Sequence, residues 1–242
     1  MKVALITGAT RGIGKGLFQK LATQGISVAT IYHRDIEAAN EFIHFAEESN
    51  INYLIRQLNI VKFEELDTFV NEIEQKFGRI DYLINNVGID DSHTIFDMSF
   101  EEWRLIQDKL LNAPVYLTKL VLPIMRKHNF GRIINIGASS KDYYKGAAGI
   151  GAFGIHKAAL NILTKTLALE EIHNGITVNM VAPGSTHGAG MNREEDRIPI
   201  SSIPLGRRVY VEEVVDAIMY FLSDGSRSVT GQFIGVNGGL ST

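Results

Sequence analysis

Two spacings of apolar residues take turns along the chain. Val3, Ala4, Leu5 and Ile6 form an unbroken apolar run, the composition of a strand covered on both faces of a parallel sheet. Comparable runs predict strands at about 27–32, 53–58, 81–85, 132–137, 177–181 and 232–236. Between them apolar residues recur with helical spacing, on one face of each segment. Such helices are predicted at about 13–24, ending at Gly25, at 35–49, and at 63–77, stopped by Gly78. Longer ones are expected around 100–127 and 152–173. Strands alternating with helices of this length imply a parallel sheet with helices on both faces. Ligands of such sheets sit beyond the carboxyl ends of the strands, so the loop after each strand is where chemistry is expected.

The first of those loops carries the clearest signal. The run from Thr7 to Gly14 reads T-G-x-x-x-G-x-G and lies between a strand and an amphipathic helix. Gly8, Gly12 and Gly14 allow a tight turn and leave the backbone open to a ligand. The N-terminus of the following helix offers unpaired N–H groups and a partial positive charge, which suits a pyrophosphate. The expected fold class is therefore α/β, a Rossmann-type doubly wound parallel sheet of about seven strands, forming one dinucleotide-binding domain over residues 1–242.

Bulk properties narrow the partners. A formal net charge of −3, from 24 basic and 27 acidic residues, gives no reason to invoke nucleic acid or an anionic membrane. No apolar run approaches the length of a membrane span, and Met1 leads directly into a strand rather than a signal peptide. With no cysteine there are no disulfides and no thiol catalysis, which is compatible with a reducing compartment. A cytoplasmic protein acting on a small molecule is expected, without metal, since the histidines and paired acids form no ligand pattern.

The loop after the second strand bears on the choice of dinucleotide. An acidic residue there accepts the ribose hydroxyls of NAD, whereas a cation accommodates the 2′-phosphate of NADP. Arg34, following His33, supplies a cation and Arg11 a second, which favours NADP(H); Asp35 keeps NAD open if the strand ends later. Asn59 and Ile60 follow the third strand at the adenine edge, and Asn86, Val87 and Gly88 follow the fourth.

Several motifs together carry a resemblance. They are Thr7 to Gly14, Asn85-Asn86-Val87-Gly88, the strand from Gly131 to Ile136, Lys157-Ala158-Ala159-Leu160, Asn179 with Pro183-Gly184, and the segment from Gly231 to Gly239. The chain is similar over essentially its whole length to the short-chain dehydrogenase/reductase family. That resemblance implies a cofactor site of Gly8, Thr10, Arg11, Gly12, Ile13, Gly14, His33, Arg34, Asn59, Ile60, Asn86, Val87, Gly88, Lys157, Pro183, Gly184 and Thr186. It implies also a homodimer or homotetramer built through the helices around 100–127 and 152–173.

The family's proton-transfer residues are another matter. Its lysine binds the nicotinamide ribose and lowers the pKa of a tyrosine four residues earlier, on the same helix face. Here Lys157 is present and Phe153 takes the place of the tyrosine, with no hydroxyl to pass a proton. The family's serine falls on Ala138, with Ser139 and Ser140 next in line, and its asparagine falls on Leu110, seven residues after Trp103. Pro114 has no N–H for the carbonyl of Leu110. In the family that carbonyl holds a relay water; the alternative is a plain proline kink.

The candidate catalytic set is Lys157, Ser139 and the loop tyrosines Tyr143 and Tyr144, with water as another donor. His93, His156 and His187 lie on nearby segments. The enoyl reductases of the same superfamily space their tyrosine and lysine by seven residues, but Ile150 stands at that distance here. The connection 185–208 has the length of a lid. The leading expectation is an NADP(H)-dependent oxidoreductase acting on a carbonyl or enoyl compound with an unusual proton donor. The alternative is a protein that binds dinucleotide as a sensor or scaffold without turnover, and a lyase or isomerase on this fold stays open.

Overall fold

The computed structural model describes residues 1–89, 93–138, 149, 151–187 and 200–240. Seven parallel strands form one sheet: β1 (Val3–Thr7), β2 (Ser27–Tyr32), β3 (Tyr53–Gln57), β4 (Tyr82–Asn85), β5 (Gly131–Ile136), β6 (Ile176–Pro183) and β9 (Phe233–Val236). Two short strands, β7 (Thr186–His187) and β8 (Val209–Tyr210), pair separately. The sheet order β3-β2-β1-β4-β5-β6-β9 reverses between β1 and β4, so the crevice beyond their carboxyl ends is the ligand position of a doubly wound sheet.

Successive residues of β1 point to opposite faces, which divides the core in two. Val3 and Leu5 join one layer with α3 (Phe63–Phe77), α5 (Ala113–Lys127) and the end of α6 (Gly151–Glu171). Ala4 and Ile6 join the other with α1 (Gly12–Ala22), α2 (Ile36–Glu48) and α7 (Val211–Leu222). Burial on both faces is why the strands read as continuous apolar runs. At the amino end Asp81, buried, accepts from Val3 N–H at 2.8 Å and from Arg79 Nε at 2.9 Å, fixing β1 against β4.

The strands lie where the apolar runs predict them, within two residues at each end. Differences arise where local chemistry lacks periodicity. The first helix ends at Ala22, and Gly25, at φ +68°, serves the turn that follows. The single long helix expected around 100–127 is α4 (Phe100–Gln107), a π-turn (Asp108–Asn112) and then α5. The connection expected over 185–208 is tied at both ends by β7 and β8, with Val209 N–H donating to the Ser185 carbonyl at 3.1 Å. Residues 188–199 lie outside the described ones. No helix among the described residues is long and apolar enough to cross a membrane.

Candidate functional site

The glycine turn is held from both sides. On the β2 side Thr30 Oγ1 accepts from Ala9 N–H at 3.0 Å and donates to the Ile6 carbonyl at 2.7 Å. On the β4 side Asn86 Nδ2 donates to the carbonyls of Thr7 and Gly8 at 3.0 and 3.2 Å, while Thr7 Oγ1 accepts from Asn86 N–H at 2.9 Å. Gly8 and Gly12 have φ of +73° and +57°. A Cβ on Gly14 would lie 2.1 Å from the Gly8 carbonyl oxygen, so the turn folds back on the helix where only glycine fits. Arg11 N-caps α1 in an extended conformation without a side-chain cap bond. The first-turn N–H groups of Gly12, Ile13 and Gly14 thus begin the helix beside the buried Thr10. Such a cradle fits a pyrophosphate.

At the far end of the crevice β2 stops at Tyr32, and His33 and Arg34 follow, exposed. Neither Arg34 nor Arg11 makes an ion pair among the described residues. Asp35 is committed elsewhere: it N-caps α2, its Oδ1 accepting from Ala38 N–H at 3.0 Å. Asn59 and Ile60 follow β3, Ile60 buried and the Asn59 carbonyl taken by Lys62 N–H at 2.8 Å. Val87 and Gly88 follow Asn86, and a Cβ on Gly88 would meet nothing within 4 Å among the described residues. Pro183 and Gly184 close β6, with Thr186 Oγ1 donating to the Gly184 carbonyl at 2.9 Å.

Lys157 stands at the centre of the crevice floor on α6. It is 3% exposed and donates one N–H to the Ile136 carbonyl at 2.5 Å; its other two N–H groups have no partner among the described residues. Burial alone lowers its pKa to about 8. One helical turn earlier Phe153 presents its ring 5.9 Å from Nζ, within cation–π range. Leu110, on the π-turn, is buried with Ile106 and Ala152 in an apolar cluster that Trp103, Met98 and Phe153 also join. The π-turn and the start of α6 therefore meet through hydrocarbon.

The π-turn has a clear cause. Ala113 N–H donates five residues back, to the Asp108 carbonyl, and Pro114 has no N–H to continue the ladder. The helix is thus irregular at Leu110 rather than simply kinked. Leu110 and Pro114 line one small space with Thr7, Asn85 and Lys157. His156 is also accounted for. It is buried against Trp103, ring centroids 4.8 Å apart, with Nδ1 at 2.7 Å from the Ala152 carbonyl, and burial lowers its pKa.

His187 is exposed and packs edge-on against Tyr210, and His93 is exposed. Ser139, Ser140, Tyr143 and Tyr144 lie outside the described residues. Among the described residues no three metal-ligating side chains come together. One holder escaped sequence reasoning, Thr30, for which a lone hydroxyl inside the apolar run of β2 was the available signal.

The family description that matches this chain, over residues 8–241, is enoyl-(acyl carrier protein) reductase. A 3-oxoacyl-[acyl-carrier-protein] reductase, FabG, of Haemophilus influenzae is 34% identical over 99% of this chain and 98% of its own. The chain belongs to the short-chain dehydrogenase/reductase family. An acetoacetyl-CoA reductase of an Acinetobacter species is 33% identical over 99% of this chain and 97% of its own. The solved acetoin dehydrogenase YohF of Salmonella typhimurium superposes with a TM-score of 0.88 at 29% identity, covering 99% and 97% of the two chains. This short-chain dehydrogenase/reductase carries a glycine turn after β1 and a buried Lys157 on α6.

The buried lysine has a thermodynamic cost. Its folded pKa lies below the free value of 10.5, so between about 8 and 10.5 the unfolded chain binds more protons and stability rises with pH. The charged form therefore destabilises the ligand-free fold below pH 8, by on the order of 3 kcal/mol for a shift of this size. Lys157→Met is expected to be more stable than wild type at pH 7, with the gap closing toward pH 10.5. Denaturant titrations of both proteins across that range check this; a constant gap would contradict it.

Proposed function

We propose that this chain is an NADP(H)-dependent reductase of small carbonyl or enoyl compounds that works without a tyrosine at position 153. The observation that carries the reading is Lys157, buried beside a glycine turn whose shape is fixed from two strands. When bound, the nicotinamide supplies the hydride. This chain's own groups do the rest: the N–H groups at the start of α1 bind the pyrophosphate, and Lys157 uses its spare N–H groups to orient the nicotinamide ribose. The names of the relatives, which include 3-oxoacyl and acetoacetyl thioester reductases and an acetoin dehydrogenase, support a carbonyl substrate.

Preference for NADP over NAD rests on charge. Arg34 follows the end of β2, Arg11 caps α1 in the turn after β1, and Asp35 caps α2. Charge-assisted hydrogen bonds to a 2′-phosphate contribute about 1.5–3 kcal/mol. Arg34→Asp is accordingly expected to weaken NADPH binding at least about tenfold while leaving NADH binding nearly unchanged. Fluorescence titration with both nucleotides decides; equal losses for the two would remove the argument.

The reaction is tested by NADPH oxidation with acetoacetyl-CoA, diacetyl and crotonyl-CoA. Turnover of any of them supports the reductase reading. Tight NADPH binding without turnover favours the second reading, a dinucleotide-binding sensor or scaffold, which the hydrocarbon at Leu110 and Phe153 motivates. A homo-oligomer fits either reading: Ile155, Ile162 and Leu169 are exposed at seven-residue intervals along α6, an apolar stripe suited to a second copy.

A further inference from the structure

We propose that Thr30 is the positioning residue that holds the glycine turn closed before a dinucleotide arrives, so that its hydroxyl sets the affinity for NADPH and NADH alike. The inference rests on the dinucleotide-binding half of the reading above and not on turnover. Three observations carry it. Thr30 is fully buried in β2, in register with Ile6 of β1, on the sheet face that α1 covers. Its single hydroxyl bridges two parts of the chain, donating to the Ile6 carbonyl at 2.7 Å within β1 and accepting from Ala9 N–H at 3.0 Å beyond it. Ala9 is itself fully buried, so water cannot replace that acceptor unless the turn moves.

The position of this bond gives it leverage. Before it, Gly8 is pinned: its N–H donates to the Ile31 carbonyl at 3.3 Å, and its carbonyl accepts from Asn86. After it, α1 begins at Gly12, and the Arg11 carbonyl accepts from Lys15 N–H at 3.1 Å. Between these two fixed points Ala9 N–H is the backbone group bound to the sheet. The side-chain amide of Asn86 bonds to Thr7 and Gly8, not to the loop that leads into the helix.

Without the hydroxyl the Ala9 N–H is a buried donor with no acceptor, and it recovers one by lifting the turn toward solvent. A lifted turn no longer converges the first N–H groups of α1 on one phosphate. The dinucleotide must then close it, and affinity falls by the fraction of molecules already closed. Arg34 stands four residues beyond Thr30, after the end of β2, and keeps its charge; the loss is therefore the same for both nucleotides.

The experiment is calorimetric titration of wild type, Thr30→Val and Thr30→Ser with NADPH and with NADH. Valine keeps the branched shape without the hydroxyl, and serine keeps the hydroxyl. Thr30→Val is expected to raise both Kd values about tenfold with the number of sites per chain unchanged, and Thr30→Ser to stay within about threefold of wild type.

A hydroxyl that merely stabilised the fold would leave fewer competent sites at the wild-type Kd, and that result overturns the proposal. So does a serine variant as weak as the valine one, or a loss confined to NADPH. Should the valine variant fold poorly, amide hydrogen exchange in the free wild-type protein decides. Ala9 N–H is expected to be protected like the strand residues of β1, and exchange there as fast as at exposed Arg11 overturns the assignment. Wild-type affinity retained in Thr30→Val overturns this proposal alone, whereas wild type that binds neither nucleotide overturns it together with the reading above.

Discussion

A Gly14→Val protein is expected to lose dinucleotide binding altogether. The first atom of the new side chain would sit 2.1 Å from the Gly8 carbonyl oxygen, 2.9 Å from its carbon and 2.8 Å from Asn86 Nδ2. Two of those atoms are backbone, and they cannot give way. Gly8 N–H is bonded to Ile31, its carbonyl is held by Asn86, and the neighbouring Ala9 is held by Thr30. Accommodation requires the turn to leave the helix, which removes the convergence of N–H groups on the phosphate site. Fluorescence titration with NADPH measures the loss, and thermal unfolding reports the strain. Gly154→Ala is a suitable control, because a Cβ there meets nothing within 4 Å and alanine favours the helix. Binding by Gly14→Val within tenfold of wild type would show that the pyrophosphate lies elsewhere.

Phe153→Tyr is expected to raise kcat by about 10²–10⁴-fold, the usual contribution of a positioned general acid. The Phe153 ring stands one turn before Lys157 on α6 with Nζ 5.9 Å from its centre, so the substitution adds one oxygen to a ring already beside the ammonium. A phenol beside a buried ammonium is favoured in its ionised form, which brings its pKa toward neutrality. KM is expected to change little, since the hydroxyl acts on charge that develops in the transition state. Parallel kcat and KM measurements with acetoacetyl-CoA and diacetyl test this. An increase from a measurable wild-type rate agrees with a reductase that uses a slower donor. Activity appearing only in the tyrosine variant would instead make the natural chain a binding protein.

The sheet was legible because its central strands, β1, β4, β5 and most of β6, are covered on both sides. Unbroken apolar runs such as Val3 to Ile6 carry that information in their composition, and glycines such as Gly78, a left-handed helix cap at φ +75°, mark where helices stop. The glycine turn after β1 was legible because its glycines answer to backbone geometry. Elements made by pairing rather than pattern were not. β7 and β8 contribute two residues each, too few for any periodicity, and their partnership links positions more than twenty residues apart. The π-turn could be suspected from Pro114 but not distinguished from a kink, because the extra residue is a matter of hydrogen-bond register. The packing of Leu110 with Ile106 and Ala152 depends on volumes that sequence spacing does not encode.

The buried carboxylate of Asp81 ties the first strand to a residue 78 positions later. A ribosome releasing this chain from its N-terminus therefore exposes β1 well before the strand that flanks it on one side has been made. Such distant pairing is entropically slow to establish. During synthesis the nascent amino half depends on β2 to shield its most apolar segment, and any chaperone that attends this protein has its natural window before β4 emerges.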